Sequence, residues 1–228
     1  LSEVMIKMIS LIMLYAPIGL GAYFASLVGT FGPQLLGSYA RAMLIYYPVC
    51  ILYFFIAFSF YSYFAAGKEG MATYWRYIIP PAVTSLATQS SIATLPVNLE
   101  AARKIGVPKD IREIVLPIGA TAHMDGSCLS AILKISFLFG IFNVPFTGIS
   151  TYISAIIISV LSGVVMSGVP GGGLIGEMLI VSMYGFPPEA FPIVAMIGYL
   201  VDPPATMINA TGDTVASMMV TKILEGKD

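Results

Sequence analysis

Asp202-Pro-Pro-Ala-Thr-Met-Ile-Asn-Ala-Thr-Gly-Asp213 lies between two apolar runs, 191–201 before it and 215–220 after it. It holds two carboxylates, a tandem proline, an asparagine and two threonines. A lipid-facing helix would not tolerate that set. An acid at bilayer depth costs a few kcal/mol or more, and backbone groups freed by proline find no water there. The stretch is therefore expected to face protein or a water-filled cavity, and to handle something polar inside a membrane.

Composition supports that solvent. The chain has 228 residues, 57% hydrophobic and only 10% charged, with a mean hydropathy of +0.89. Soluble domains carry about a quarter charged residues, so an integral membrane protein is expected. A net charge of -1 gives no sign of nucleic acid binding. Cys50 and Cys128 sit in apolar runs and suggest no disulfide framework. Leu1 is not a start methionine, and the chain reads as the later part of something longer.

A span needs roughly 20 apolar residues. Residues 4–28, 35–66, 113–142 and 191–223 meet that need, with Pro48 an expected kink in the second. Two further segments, 71–107 and 147–186, are interrupted at Thr88-Gln-Ser-Ser91 and Ser167-Gly-Val-Pro-Gly-Gly-Gly173. Each reads as helix, break, helix, a re-entrant hairpin whose tip lies at membrane depth. Each precedes a span that is itself interrupted, at Gly119-Ala-Thr-Ala-His-Met-Asp-Gly126 and at the opening motif. The expected core is thus hairpin 71–107, broken helix 110–142, hairpin 147–186 and broken helix 190–224, behind two ordinary helices in 1–66. Interrupted segments in corresponding halves point to the inverted repeat of a secondary transporter.

The basic residues fit opposite entry of the two hairpins. Connections near 29–38, 141–150 and 185–192 have no lysine or arginine. The other side carries Lys68, Arg76, Arg103, Lys104, Lys109, Arg112, Lys222 and Lys227. By the positive-inside rule, the first hairpin opens from the cytoplasm, the second from outside, and the C-terminus is cytoplasmic. Trp75, Tyr74 and Tyr77 suit the membrane interface.

Four motifs in order resemble the dicarboxylate/amino acid:cation symporter family, the glutamate transporter-like proteins. They are Ser90-Ser-Ile-Ala-Thr-Leu-Pro96, Gly119-Ala-Thr-Ala-His-Met-Asp-Gly126, Gly168-Val-Pro-Gly-Gly-Gly173 and Asn209-Ala-Thr-Gly-Asp213. Tyr15-Ala-Pro-Ile-Gly19 lies in what look like the family's fifth and sixth spans. The resemblance implies an all-α membrane fold with two opposed hairpins and two unwound helices. It also implies four missing earlier spans, a homotrimer, an elevator mechanism, the cell (inner) membrane, and Na+ as the coupling ion.

Ser90 and Ser91 begin a half-helix whose free N–H groups suit a carboxylate, although serine also caps helices without any ligand. The resemblance implies a gate at Gly168 and Val169 contacting substrate, with Ser127 and Thr206 also at the substrate site. It places Asp202 on the substrate ammonium, where a fixed anion acts strongly at low dielectric. The structural alternative for Asp202 is an interhelical partner such as Lys134. Lys134 itself either pairs with an acid or snorkels, and Glu177 reads as a cavity-facing polar residue. Ala205 stands where acidic-substrate members carry an arginine, and Gln89 replaces a tip arginine of some relatives. With those donors gone, a neutral amino acid is the expected substrate.

Asn209 and Asp213 lie four apart on one helical face. The resemblance implies that Asn209 contacts the carboxylate and lends its carbonyl to a sodium ion held by Asp213. Gly119 and His123 add carbonyls. Thr121 joins a second sodium, closed by carbonyls near Val164 and Met166. His123 stands where the family has an asparagine beside Asp125. Imidazole is a poor sodium ligand but carries protons, so His123 and Asp125 are either a proton-coupled pair or a hydrogen-bonded core contact. The alternatives to neutral amino acid symport are symport of acidic amino acids or dicarboxylates, H+-coupled in one version, and a channel-like anion conductance. An enzyme built on Ser90, His123 and Asp213 explains the glycine-rich tips less well than ion binding does.

Overall fold

The computed structural model describes residues 2–32, 34–166, 168 and 172–226, without the side chains of 2–7, 9, 10, 12, 13, 16, 17, 20 and 31. The described residues form helices and connections, with no strand. In order they are α1 (Ser2–Phe31), α2 (Gln34–Tyr77), α3 (Ile79–Thr88), α4 (Ser91–Ile105), α5 (Lys109–Ala122), α6 (Asp125–Ile141), α7 (Ile149–Val165), α8 (Gly173–Tyr184) and α9 (Ala190–Glu225). The chain divides into two units, 1–41 and 42–228.

In the first unit, Gly32 at φ 83 ends α1 with its N–H on the Val28 carbonyl. Phe24 and Tyr39 lie with ring centroids 5.8 Å apart.

The second unit is built around α9, which packs against α3, α4, α5, α6 and α8. Its interior is largely apolar but also holds many polar side chains, and much of its surface is apolar. Asn98, Thr211, Asp213, Thr214 and Ser217 are wholly buried, while Leu44 is 76% and Ile149 78% exposed. Apolar side chains outside and polar ones inside are what lipid demands. α2, α5–α6 taken together and α9 are long and apolar enough to cross a membrane. The protein is a multi-pass membrane protein.

Four breaks shape this unit. α2 leaves helical geometry at Ala66 (φ -147, ψ 24) and Gly67 (φ 66, ψ -160) and then resumes to Tyr77. The non-helical backbone is thus at Ala66–Gly67 and not at Pro48, and residues 68–77 form a separate helical piece after that break. α3 ends on Gln89 in the left-handed region, φ 50, and Ser90 is extended. α4 then starts with the Ser90 Oγ accepting from the Ala93 N–H at 3.1 Å, and α3 and α4 pack together. α5 and α6 part at His123 and Met124. α7 stops at Met166 and α8 starts at Gly173, and these two also pack together.

One expected break is missing. α9 runs as a single helix through Pro203 and Pro204, so the segment 190–224 is not unwound at the opening motif. A helical proline removes the bond to the carbonyl four residues earlier. For Pro204 that carbonyl is Leu200, and it accepts from the Tyr47 hydroxyl at 2.9 Å instead. The neighbouring helix therefore satisfies what the proline leaves open. Tyr47→Phe is expected to lower the protein's thermal stability by about 1 kcal/mol, the scale of one hydrogen bond to an otherwise unmet carbonyl. An unchanged unfolding temperature in detergent would show that Leu200 does not depend on Tyr47. Tyr74 also departs from expectation. It is wholly buried, with its hydroxyl 3.4 Å from the Thr211 carbonyl, rather than at an interface.

Candidate functional site

Between α6, α8 and α9 lies a small pocket. The two loop tips meet beside it. The Ser90 hydroxyl donates to the Gly168 carbonyl at 2.9 Å, and the Ile92 N–H donates to the same oxygen at 3.3 Å. Gly168 also packs so closely on α5 that a Cβ there would lie 2.0 Å from the Ala120 carbonyl oxygen. Gln89, Ser91 and Gly168 line the pocket, whereas Ser90 turns its hydroxyl to the opposite tip and is not among the lining residues. Val169 lies outside the described residues.

The floor is the seam of α6 and α9. Asn209 caps the start of α6: its Oδ1 accepts from the N–H groups of Gly126 at 2.8 Å and Ser127 at 3.2 Å. Its Nδ2 donates to the Ser127 hydroxyl at 2.8 Å. Those are two of the orphan donors that every helix start leaves. The seam is close because Gly126 has no side chain, and a Cβ there would meet the Ala205 carbonyl oxygen at 2.2 Å. Ala205 is buried at this contact and does not line the pocket. Asp202 and Thr206 do line it, and the Thr206 hydroxyl donates to Asp202 Oδ1 at 3.2 Å.

A second polar cluster lies under the α5–α6 break. His123 Nδ1 is 3.2 Å from Asp213 Oδ1, while His123 Nε2 is 4.0 Å from Asp125 Oδ2. Asp125 is held from both sides, Oδ1 by the Gly126 N–H and Oδ2 by the Tyr53 hydroxyl, each at 3.0 Å. Asp213 is wholly buried, and its Oδ2 has no hydrogen-bond partner among the described residues. Gly119 admits that carboxylate, since a Cβ there would lie 2.5 Å from Asp213 Oδ1. The Gly119 carbonyl accepts from the His123 N–H at 2.8 Å. Thr121 is exposed, and its hydroxyl donates to Ile118. Val164 is 71% exposed, and Met166 is buried and lines the pocket. An unpartnered, buried, hard oxygen such as Asp213 Oδ2 suits a small hard cation.

Most of the residues expected at the site fall in two places, while Ser90, Ala205, Thr121 and Val164 fall in neither. Ser91, Ser127, Gly168, Asp202, Thr206 and Asn209 share the pocket. His123, Asp125, Asp213 and Gly119 share the cluster beneath the break. Ser90 donates to Gly168 rather than to His123, so no serine–histidine pair of the hydrolase kind forms.

The charge at the pocket's other end is what the motifs did not place. Lys134 Nζ lies 2.9 Å from Glu177 Oε1, with both side chains 5% exposed or less. Lys134 pairs with α8, not with Asp202, and it does not snorkel. The signal lay in finding a lone lysine and a lone glutamate in two apolar helices, each too costly to leave unpaired.

The profile of the sodium:dicarboxylate symporter family matches residues 1–223. The chain is 26% identical over 224 residues to excitatory amino acid transporter 2 of Homo sapiens, covering 96% of this chain and 38% of that protein. It is 26% identical to the proton/sodium-glutamate symport protein of Bacillus subtilis (strain 168), covering 97% of this chain and 51% of that one. It is 29% identical over 156 residues to neutral amino acid transporter A of Homo sapiens, covering 68% and 29%. The chain thus spans about half the length or less of the relatives it matches. These relatives are transporters, not enzymes. With a family match over nearly its whole length, on a helical core with polar residues inside and apolar ones outside, the chain belongs to the sodium:dicarboxylate symporter family.

Proposed function

We propose that this chain is the substrate- and ion-handling part of a sodium-coupled symporter of neutral amino acids, working in the cell membrane as a trimer with its C-terminus cytoplasmic. The charge inventory of the pocket carries the reading. Its charged lining residues are Lys134, Glu177 and Asp202. Lys134 and Glu177 neutralise each other, which leaves one formal negative charge, at Asp202. An amino acid's ammonium balances that charge, and its carboxylate has the Ser91 end of the pocket and the α4 N-terminus. Among the described residues no unpaired cation lines the pocket for a second carboxylate, which is why a neutral side chain is favoured over an acidic one.

Asp213 is the residue proposed for the coupling cation. Na+ supplies charge that lets a buried carboxylate stay ionised, and Gly119 keeps room beside it. His123 supports a second version, in which a proton on the imidazole takes part in coupling, because its Nδ1 already lies against Asp213 Oδ1. The name of the Bacillus relative includes both ions.

The test is an uptake panel on the full-length protein in liposomes, with and without an inward sodium gradient. Alanine or another neutral amino acid is expected to accumulate only with the gradient. Stronger uptake of aspartate or glutamate would overturn the neutral reading. Gradient-independent, non-saturable flux would favour a channel.

A further inference from the structure

Along α6, Ser127, Ser130 and Lys134 line the pocket at spacings of three and four, a single helical face. Ser127 is tied to Asn209, the residue that the family resemblance puts on the carboxylate. Lys134 lies seven residues on, about 10 Å along the helix. α9 repeats the layout, with Asn209, Thr206 and Asp202 leading to Gly198. With the ammonium at Asp202 and the carboxylate toward Asn209, the charged lining residues left to face the side chain are Lys134 and Glu177.

This far end has been built for charge. Gly198 makes the space for the glutamate, since a Cβ there would lie 1.8 Å from Glu177 Oε1. Stability does not explain the pair, because replacing a buried ion pair by packed apolar residues is often neutral or stabilising. Nor is the pair complete. Lys134 bonds Oε1, while the buried Oε2 has no hydrogen-bond partner among the described residues. A buried acceptor left unmet is costly, and here it belongs to a pocket-lining residue.

We propose that the Lys134–Glu177 pair reads the substrate's side chain and selects neutral groups that both accept and donate a hydrogen bond, a carboxamide first and a hydroxyl second. This rests on the amino acid transport reading above. The ammonium has three donors and spends one on Oε1. It offers another to a side-chain oxygen, while Oε2 takes an N–H or O–H. A carboxamide presents both groups side by side. An acidic side chain would be repelled by Glu177 and find Lys134 already neutralised. An apolar one would bring no donor and leave Oε2 unmet.

The experiment is competitive uptake by the full-length protein in liposomes, with alanine, whose methyl group is too short to reach the pair, as reference. Glutamine, asparagine and serine are expected to compete better than leucine and glutamate. Glu177→Gln leaves Lys134 as a lone cation, and should raise the glutamate-to-glutamine ratio at least tenfold. Lys134→Met with Glu177→Met should lower the glutamine-to-leucine ratio at least tenfold, and it tests the same idea if the single variant does not fold. Uptake with both ratios unchanged overturns the inference alone. Absence of sodium-driven uptake for every amino acid, alanine included, overturns the transport reading and the inference with it.

Discussion

Sodium-driven alanine uptake by an Asp202→Asn variant is expected to fall by about thirtyfold or more. The substitution keeps the shape and removes the charge. Removing one partner of a buried, hydrogen-bonded charge pair costs about 2–5 kcal/mol, and each 1.4 kcal/mol is about a factor of ten. The loss should appear at saturating sodium, because Asp213 and not Asp202 is the carboxylate proposed for the ion. Thr206 would survive as a donor to the amide oxygen, so the fold should hold, and a thermal melt in detergent checks that. A variant that transports alanine at the wild-type rate would remove Asp202 from the substrate site.

Lys134→Met alone is expected to destabilise the protein by about 3–5 kcal/mol, because it leaves the Glu177 carboxylate buried without its cation. The double change, with Glu177→Met as well, should recover most of that loss, since no charge then remains to be desolvated. Unfolding midpoints of the two variants in one detergent decide the matter. A single variant as stable as the wild type would mean that water reaches Glu177.

Much of the fold was legible because lipid leaves a coarse code. Gln89-Ser90 and His123-Met124 carry breaks where polar residues interrupt apolar runs. Gly67 ended a helix near where hydropathy fell. The same logic went wrong at Pro203-Pro204. A proline announces only that a carbonyl is freed, and the group that satisfies Leu200 is Tyr47, 153 residues away in sequence. Tyr74 was misread for a related reason: an aromatic ring with a hydroxyl suits an interface or a buried polar seam equally well, and only packing tells them apart. At the site, Asp202, Asn209 and Asp213 were legible as polar residues in the wrong solvent. That Asn209 spends its amide on α6, and that His123 leans toward Asp213 more closely than toward Asp125, are facts of helix rotation. Periodicity within one segment does not encode the angle at which it meets another.

The two hydrogen bonds on the Gly168 carbonyl set a population as well as a shape. At a net worth of about 0.5–1.5 kcal/mol each, parting them costs about 1–3 kcal/mol, so on the order of one molecule in ten to one in a hundred stands open at any moment. A closure held by these two bonds alone would be a marginal latch between the tips. A ligand that touches both tips needs only modest extra binding to hold it shut, and losing that ligand is enough to let it swing.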